Sequence, residues 1–450
     1  MGLCSKMFYE DSQNETLSSR LTLSPEQLED AQNKKDNLLS YIKPELSRVF
    51  DTPVKHWLQG SYKNHTLIRP VRKGEEFDID VGLYILCNAE DEGLSALESK
   101  ELNRAILNQF VQFNKEAKLE DCKTNCERIS YLSSFHIDIP LYFYDADTNT
   151  CKLANQNDGW VDSDPKSFQN WFDGAVSKYD KTELSQLRRC IRYLKAWTAL
   201  KAVVDGIYIP SIAITVLVVN HFTPIDGDDD ALIDLVVEIS SYIDEHDFLI
   251  SPVGSSDLFG FNIDEYSNIR LKLEAFRKTC EHVSKSDDSF MQYVLWNTIF
   301  EHMFPSFVDH ISYVSDKTNL PAITIQPKIR VRHMDKLKMV QSNSTAAMVS
   351  AYKADKLYFS IDNANEYSPS SAVYWTVRNQ GEEAKRINDL GHKANQTINE
   401  ERYENCSYSG THYMDCIIVD KGKILGVGST IVNVKSFSRP MRNPPRKRYF

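Results

Sequence analysis

Asp78 and Asp80 lie inside the run FDIDVGLYIL (77–86), in which Phe77, Ile79, Val81, Leu83 and Ile85 alternate with the other residues. That period predicts a half-buried strand, and side chains at i and i+2 leave the same face. Both carboxylates therefore project together, away from the apolar side. Such a pair repels unless a cation lies between its members. Mg²⁺, hard and oxygen-seeking, is the usual occupant where a substrate phosphate completes the shell. A second run, SFHIDIPLYFY (134–144), repeats the pattern, with Phe135, Ile137, Ile139, Leu141 and Phe143 on one face and Asp138, beside His136, on the other. If the two strands pair, Asp78, Asp80 and Asp138 converge as a ligand set for two metal ions, the clamp for in-line displacement at phosphorus.

A second group of residues suits phosphate rather than metal. VKHWLQG (54–60) reads as a strand, with Gln59-Gly60-Ser61 at a turn into a short helix. Glycine lets the backbone approach a phosphate closely, and the free N–H groups of a helix start bind anions. The Ser61 hydroxyl adds one more donor.

The elements that must hold these groups follow from periodicity. Residues 25–50 predict a helix broken near Pro44, with Leu28, Ala31, Leu38, Ile42, Leu46 and Phe50 at helical spacing and a Ser24/Gln27 capping box. The polar, basic segment 62–76, with Arg69, Arg72 and Lys73, suits either a flap near the phosphates or a solvated loop. Residues 183–201 predict an amphipathic helix with Leu184, Leu187, Ile191 and Leu194 as its apolar stripe and Trp197 in the core. Pro210 is well placed to open the next helix, with Ser211 in its first turn. Helices continue to about residue 310, and the acidic run DGDDD (226–230) reads as a solvated connection. Beyond 315 short alternating runs separated by turn residues predict a small β-sandwich.

The order Gly-Ser, then Asp-x-Asp, then a distant Asp resembles the DNA polymerase β-type nucleotidyltransferases. The wording QGS…DIDVG…HIDIPLY is more similar still to the cGAS/DncV-like branch. Farther on, VYWTVRNQGEEA (373–384) and YSGTHYMDCIIVDKGKILG (408–426) resemble the AGS-C sensor domain, with Trp375, Asn379, Gly381, Glu382, His412 and Tyr413 as the matching positions. Of these, Asn379, Glu382 and His412 suit either a ligand pocket or turn stabilisation.

The resemblance implies an α+β chain: a polymerase β-like core with a mixed sheet over 1–205 and a helical OAS/PAP-like second lobe over 206–315. A linker over 316–354 and an AGS-C-like sandwich domain over 355–450 follow. It implies Asp78, Asp80 and Asp138 as catalytic metal ligands for Mg²⁺ or Mn²⁺. Gln59, Gly60, Ser61, Lys195 and Ser211 become donor-triphosphate contacts, since a lysine after R-x-L and a serine after proline serve that role in the family. The implied activity is polymerisation of nucleoside triphosphates into a short cyclic oligonucleotide for anti-phage defence, with a separately encoded effector receiving the signal.

Composition agrees with a cytoplasmic enzyme. The chain has 450 residues, 42% hydrophobic and 26% charged, enough for two or three domains. No apolar run is long enough to span a bilayer, and the first residues lack an export signal. Nine cysteines without regular spacing predict free thiols, although Cys122 and Cys126 with His136 or Cys151 form a weak zinc candidate. A net charge of −11 argues against strong binding of long nucleic acid. The exception is the tail RPMRNPPRKRYF, where Arg439, Arg442, Arg446, Lys447 and Arg448 precede Tyr449, a candidate priming hydroxyl for a linear product. Three alternatives therefore stay open: a linear (deoxy)oligonucleotide synthase, an RNA-tailing or toxin nucleotidyltransferase, and an inactive nucleotide-sensing module.

Overall fold

The computed structural model describes residues 2, 4–11, 15–87, 93–131, 135–260, 262–306, 325–335, 340–421 and 423–436. The chain forms two units, Met1–Asp287 and Asp288–Phe450. The first opens with short helices α1 (Ser5–Phe8) and α2 (Leu17–Leu21), followed by α3 (Pro25–Phe50). Ser24 caps α3 as expected: its hydroxyl accepts from the Gln27 N–H, and the Gln27 side chain accepts from the Ser24 N–H. The helix runs through Pro44 instead of breaking there. A proline deletes one backbone hydrogen bond, but Leu38, Leu39 and Ile42 before it and Leu46 after it are buried in one core, and that packing carries the helix across.

The sheet follows in two stretches. β1 (Val54–Gln59), the single-turn α4 (Gly60–Lys63) and β2 (Phe77–Cys87) precede α5 (Ala96–Phe113). Then come β3 (Ala117–Leu119), β4 (Glu127–Tyr131), β5 (Phe135–Ile139), β6 (Leu141–Asp145), β7 (Thr150–Asn155) and β8 (Gly159–Asp162). The strand order is β3-β4-β5-β2-β6-β7-β8, with β1 also paired to β2. It is a mixed sheet: β1 lies antiparallel to β2, whereas β5 and β6 run parallel to it. The single strand expected over 134–144 is divided at Pro140, which has no N–H to give. The pairing keeps one register across the break, Asp80 opposite Asp138 and Leu83 opposite Leu141. Phe77, Ile79, Val81, Leu83 and Ile85 bury against α3 and α5, so the aspartate face of β2 is left for chemistry.

Helices α6 (Pro165–Val176), α7 (Lys181–Asp205), α8 (Ser211–His221), α9 (Asp228–Glu245) and α10 (Ile263–Ser284) complete the unit. The acidic run at 226–230 is not a solvated connection. Asp228 and Asp229 are buried in the first turn of α9, where the helix dipole favours negative charge. Asp228 takes two hydrogen bonds from Arg189, at 2.6 and 2.8 Å, and others from Tyr193 and Gln186. No helix among the described residues is long and apolar enough to cross a membrane.

The second unit starts with α11 (Ser289–Phe300) and continues as strands: β9 (Ile329–Met334), β10 (Val340–Ser344), β11 (Met348–Tyr352), β12 (Lys356–Ile361) and β13 (Ala372–Asn379). A short helix, α12 (Glu382–Arg386), precedes β14 (Gly391–Thr397), β15 (Arg402–Asn405), β16 (Gly410–Asp420) and β17 (Lys423–Lys435). They form two sheets, β10-β9-β12-β15 and β11-β17-β16-β13-β14. Val331 and Phe359 from one and Trp375, Met414 and Ile418 from the other share a core, which is the sandwich expected. It begins earlier than expected, since β9, β10 and β11 occupy residues assigned to a linker. The inward residues of β9, Ile329, Val331 and His333, alternate with Arg330 and Arg332, which pair with Asp362 and Glu401 and give the strand a polar look in sequence. Arg378 is fully buried and anchors β13 through Asp415 and the Phe304 carbonyl, the latter at 2.7 Å.

Candidate active site

The parallel register of β2 and β5 sets Asp80 beside Asp138 and Asp78 beside His136, all on the sheet face away from the core. Burial, then the charges of Asp78 and Asp138, push the Asp80 carboxyl up to about 7, against the opposing pull of Lys195 and Arg128. Three carboxylates, one of them raised by burial and by the charges of the other two, offer an all-oxygen donor set that fits a hard divalent cation. Among the described residues, no group of three or more His, Cys, Asp or Glu side chains is arranged to hold a metal ion as it stands. Both carboxylate oxygens of Asp138 accept from Arg128, at 2.6 and 2.7 Å. Arg128 sits directly opposite Asp138 in the antiparallel β4–β5 pair.

Gly60 has φ +61°, and a Cβ there would run into the Asp80 carboxylate. Glycine is required at this point to let the start of α4 pass over the aspartate. Gln59, expected among the triphosphate contacts, is held elsewhere. Its amide nitrogen donates to the Tyr84 hydroxyl at 2.7 Å, and its oxygen accepts from Tyr142 at 3.4 Å.

Ser61, Asp78, Lys195 and Ser211 all line one cavity of about 510 Å³. They come from α4, β2, α7 and the first turn of α8, elements far apart in sequence. Lys195 is buried, and burial lowers its ammonium to about 8, with Asp78 and Asp80 resisting the fall. Its Nζ donates to the Thr66 carbonyl at 3.2 Å and to the Thr66 hydroxyl at 3.4 Å. The basic segment between Ser61 and Phe77 is neither flap nor solvated loop at its arginines. Arg69 is buried and donates to the Thr22 carbonyl, while Arg72 donates to the Ala199 and Leu200 carbonyls near the end of α7.

The described cysteine side chains are free thiols, and Cys122 donates to Glu127 at 3.0 Å. In the second unit Trp375 is core, the Asn379 amide donates to the Asp389 carbonyl at 3.0 Å, and His412 lies buried against the Tyr408 carbonyl at 3.0 Å. Asn379 and His412 thus brace turns; Glu382 is exposed in the first turn of α12. Tyr449 and the basic tail lie outside the described residues. Arg128 is the site residue the sequence reading missed; the alternation Glu127, Ile129, Tyr131 against Arg128 and Ser130 was the available signal.

Residues 54–142 match the nucleotidyltransferase domain described as cyclic GMP-AMP synthase DncV-like, and residues 301–435 match the adenylyl/guanylyl and SMODS C-terminal sensor domain. The chain is 35% identical over 446 residues to a cyclic GMP-AMP synthase of Escherichia albertii, across 99% of this chain and 98% of that one. It is 28% identical over 189 residues to a cyclic GMP-AMP synthase of Vibrio cholerae serotype O1, across 32% of this chain and 42% of the relative. The crystal structure of Vibrio cholerae DncV with the linear intermediate pppA(3′,5′)pG superposes with a TM-score of 0.55 at 20% identity. That match covers 67% of this chain and 96% of the other, a likeness of fold.

Proposed function

Because this chain belongs to the cGAS/DncV-like nucleotidyltransferases and carries an AGS-C domain, we propose that it joins nucleoside triphosphates into a short cyclic oligonucleotide signalling phage infection to a separately encoded effector. That it is an enzyme, a nucleotidyltransferase of the cyclic-oligonucleotide-making kind, follows from the family. The observation that carries the finer reading is the meeting of Ser61, Asp78, Lys195 and Ser211 around one cavity, beside the Asp80–Asp138 pair.

Asp78, Asp80 and Asp138 are the residues that would hold Mg²⁺ or Mn²⁺. When bound, the metal neutralises phosphate charge and lowers the pKa of the acceptor ribose hydroxyl. Lys195 stays protonated near pH 7 and supplies a buried cation to the donor triphosphate, released from Thr66 to a stronger acceptor. Ser61 and Ser211 donate hydroxyl hydrogen bonds to the same phosphates. As the acceptor hydroxyl releases its proton to solvent and its oxygen bonds to the α-phosphorus, the bond to the bridging oxygen breaks, and the charge on departing pyrophosphate is met by Lys195 and Ser61. Arg128 holds Asp138 in place through both of its carboxylate oxygens. Positioning and charge neutralisation do the work, with no covalent intermediate on the protein.

The test is to incubate the purified chain with labelled ATP, GTP, CTP, UTP and dATP and Mg²⁺ or Mn²⁺, beside an Asp78→Asn/Asp80→Asn double variant. A phosphatase-resistant product, missing with the variant and of cyclic mass, is expected. A linear product, or equal product from the variant, would overturn the proposal.

A further inference from the structure

The sheet β10-β9-β12-β15 of the second unit packs one face into the sandwich core and turns the other outward. On the other sheet the outward side of β13 is covered, since Arg378 binds the Phe304 carbonyl and Asn297 of α11. Side chains alternate along a strand, so Arg330 and Arg332 of β9 and Lys356 and Tyr358 of β12 share the outward face, opposite buried Val331, Leu357 and Phe359. Register then sets Arg332 opposite Tyr358, and Tyr358 opposite Tyr403 of β15. The contacts are close: the Arg332 guanidinium carbon lies 4.1 Å from the centre of the Tyr358 ring, and the two tyrosine rings are 6.1 Å apart. The Lys356 ammonium lies 5.8 Å from the Tyr403 ring. Tyr403 is 55% exposed, and the Arg330 side chain 48%. Two carboxylates lie at this face, Asp362 on Arg330 and Glu401 on Arg332. Both ion pairs are open to water and hold little, so either arginine can turn to a phosphate, for which a guanidinium is a bidentate donor. In a chain of net charge −11, cations and flat rings are gathered here on one side of one sheet.

We propose that this face binds a short single strand of nucleic acid, its bases stacked on Tyr403 and Tyr358 and its phosphates held by Arg330, Arg332 and Lys356. The inference stands apart from the catalytic cavity of the first unit. Stacking needs the faces of the bases, which only an unpaired strand offers, and every base has one, so the face reads strandedness rather than sequence. Three neighbouring strands span about 10 Å, the scale on which a four-stranded sheet stacks two or three bases. The matching family model is that of a sensor domain, and a single strand is what this face would sense.

The experiment is a fluorescence anisotropy titration of the full chain with labelled oligouridylate, oligothymidylate and a duplex of the same length, at low and at moderate salt. Wild type should bind one or both single strands roughly tenfold or more tighter than the duplex, and the preferred sugar names the source of the strand. Tyr403→Ala should weaken that binding roughly tenfold, and Tyr403→Phe should restore it. The double variant Arg330→Gln/Lys356→Gln should reduce the slope of log affinity against log salt by about one to one and a half. An unchanged circular dichroism spectrum shows that the variants are folded, and the double variant gives a second reading on side chains that carry no core. Wild type that binds no single strand, or binds duplex equally well, overturns the proposal. So does single-strand binding that survives both Tyr403→Ala and the double variant, since the strand then lies elsewhere on the chain.

Discussion

Two buried carboxylates in the first unit live under opposite conditions. Asp228 is surrounded by donors: Arg189 grips it with two hydrogen bonds, and Tyr193 and Gln186 add theirs. Asp80 faces its own kind: burial first, then the charges of Asp78 and Asp138, outweigh Lys195 and Arg128 and drive its carboxyl up to about 7. The first arrangement is complete without any ligand, whereas the second leaves like charges facing one another, the condition a bound cation would relieve. Satisfied buried charge marks scaffold, and buried like charge marks a place where something binds.

The contrast is most sharply broken by exchanging the losses. Asp80→Asn should cut nucleotide polymerisation on the order of a thousandfold, measured as product formed per minute, while leaving metal-free stability the same or higher. Asp228→Ala should do the reverse. It strands Arg189 in the interior and should lower unfolding free energy by about 3–5 kcal/mol in a denaturant titration, with little loss of turnover per folded molecule.

The next expectation concerns pH. Because the pKa of Asp80 is raised in the folded chain, its contribution to stability is complete below the ordinary value of 3.8 and is lost as pH rises through about 7. Metal-free protein should lose roughly a few kcal/mol across that window, Asp80→Asn should show a flatter profile, and Mg²⁺ should restore stability above pH 7. Melting curves at pH 5 and pH 8, with and without Mg²⁺, read all three. A profile identical in wild type and variant would mean that Asp80 is ordinarily ionised and the contrast with Asp228 is false.

The smallest effect belongs to Arg128, whose charge opposes the rise at Asp80. Arg128→Ala should move the pH midpoint of Mn²⁺ binding upward by about a unit or less, followed by paramagnetic resonance of the free ion. A downward move would reverse the sign given to Arg128.

What was legible in the sequence was whatever local periodicity controls. The alternation of 77–86 and 134–144 set the aspartates on one face, and Ser24 with Gln27 marked the start of α3. Lys195 and Ser211 were found by resemblance and do line one cavity with Ser61 and Asp78. What escaped depends on partners distant in the chain. Arg128 meets Asp138 through strand register, and Asp228 is buried because Arg189, 39 residues earlier, reaches it. Arg69 and Arg72 looked solvated because the carbonyls they bind are distant in the chain, at Thr22 just after α2 and at Ala199 in α7. Strand β9 hid behind its arginines. Gln59 was read from its neighbours, yet its amide follows two tyrosines across the sheet.

The raised carboxyl of Asp80 has a stoichiometric consequence. If a cation is taken up between Asp78 and Asp80, it must displace the proton that Asp80, its carboxyl raised to about 7, holds in part of the molecules at neutral pH. Loading the site in weakly buffered solution therefore acidifies it in proportion to occupancy, so a pH electrode can count filled sites before a single phosphodiester bond is made.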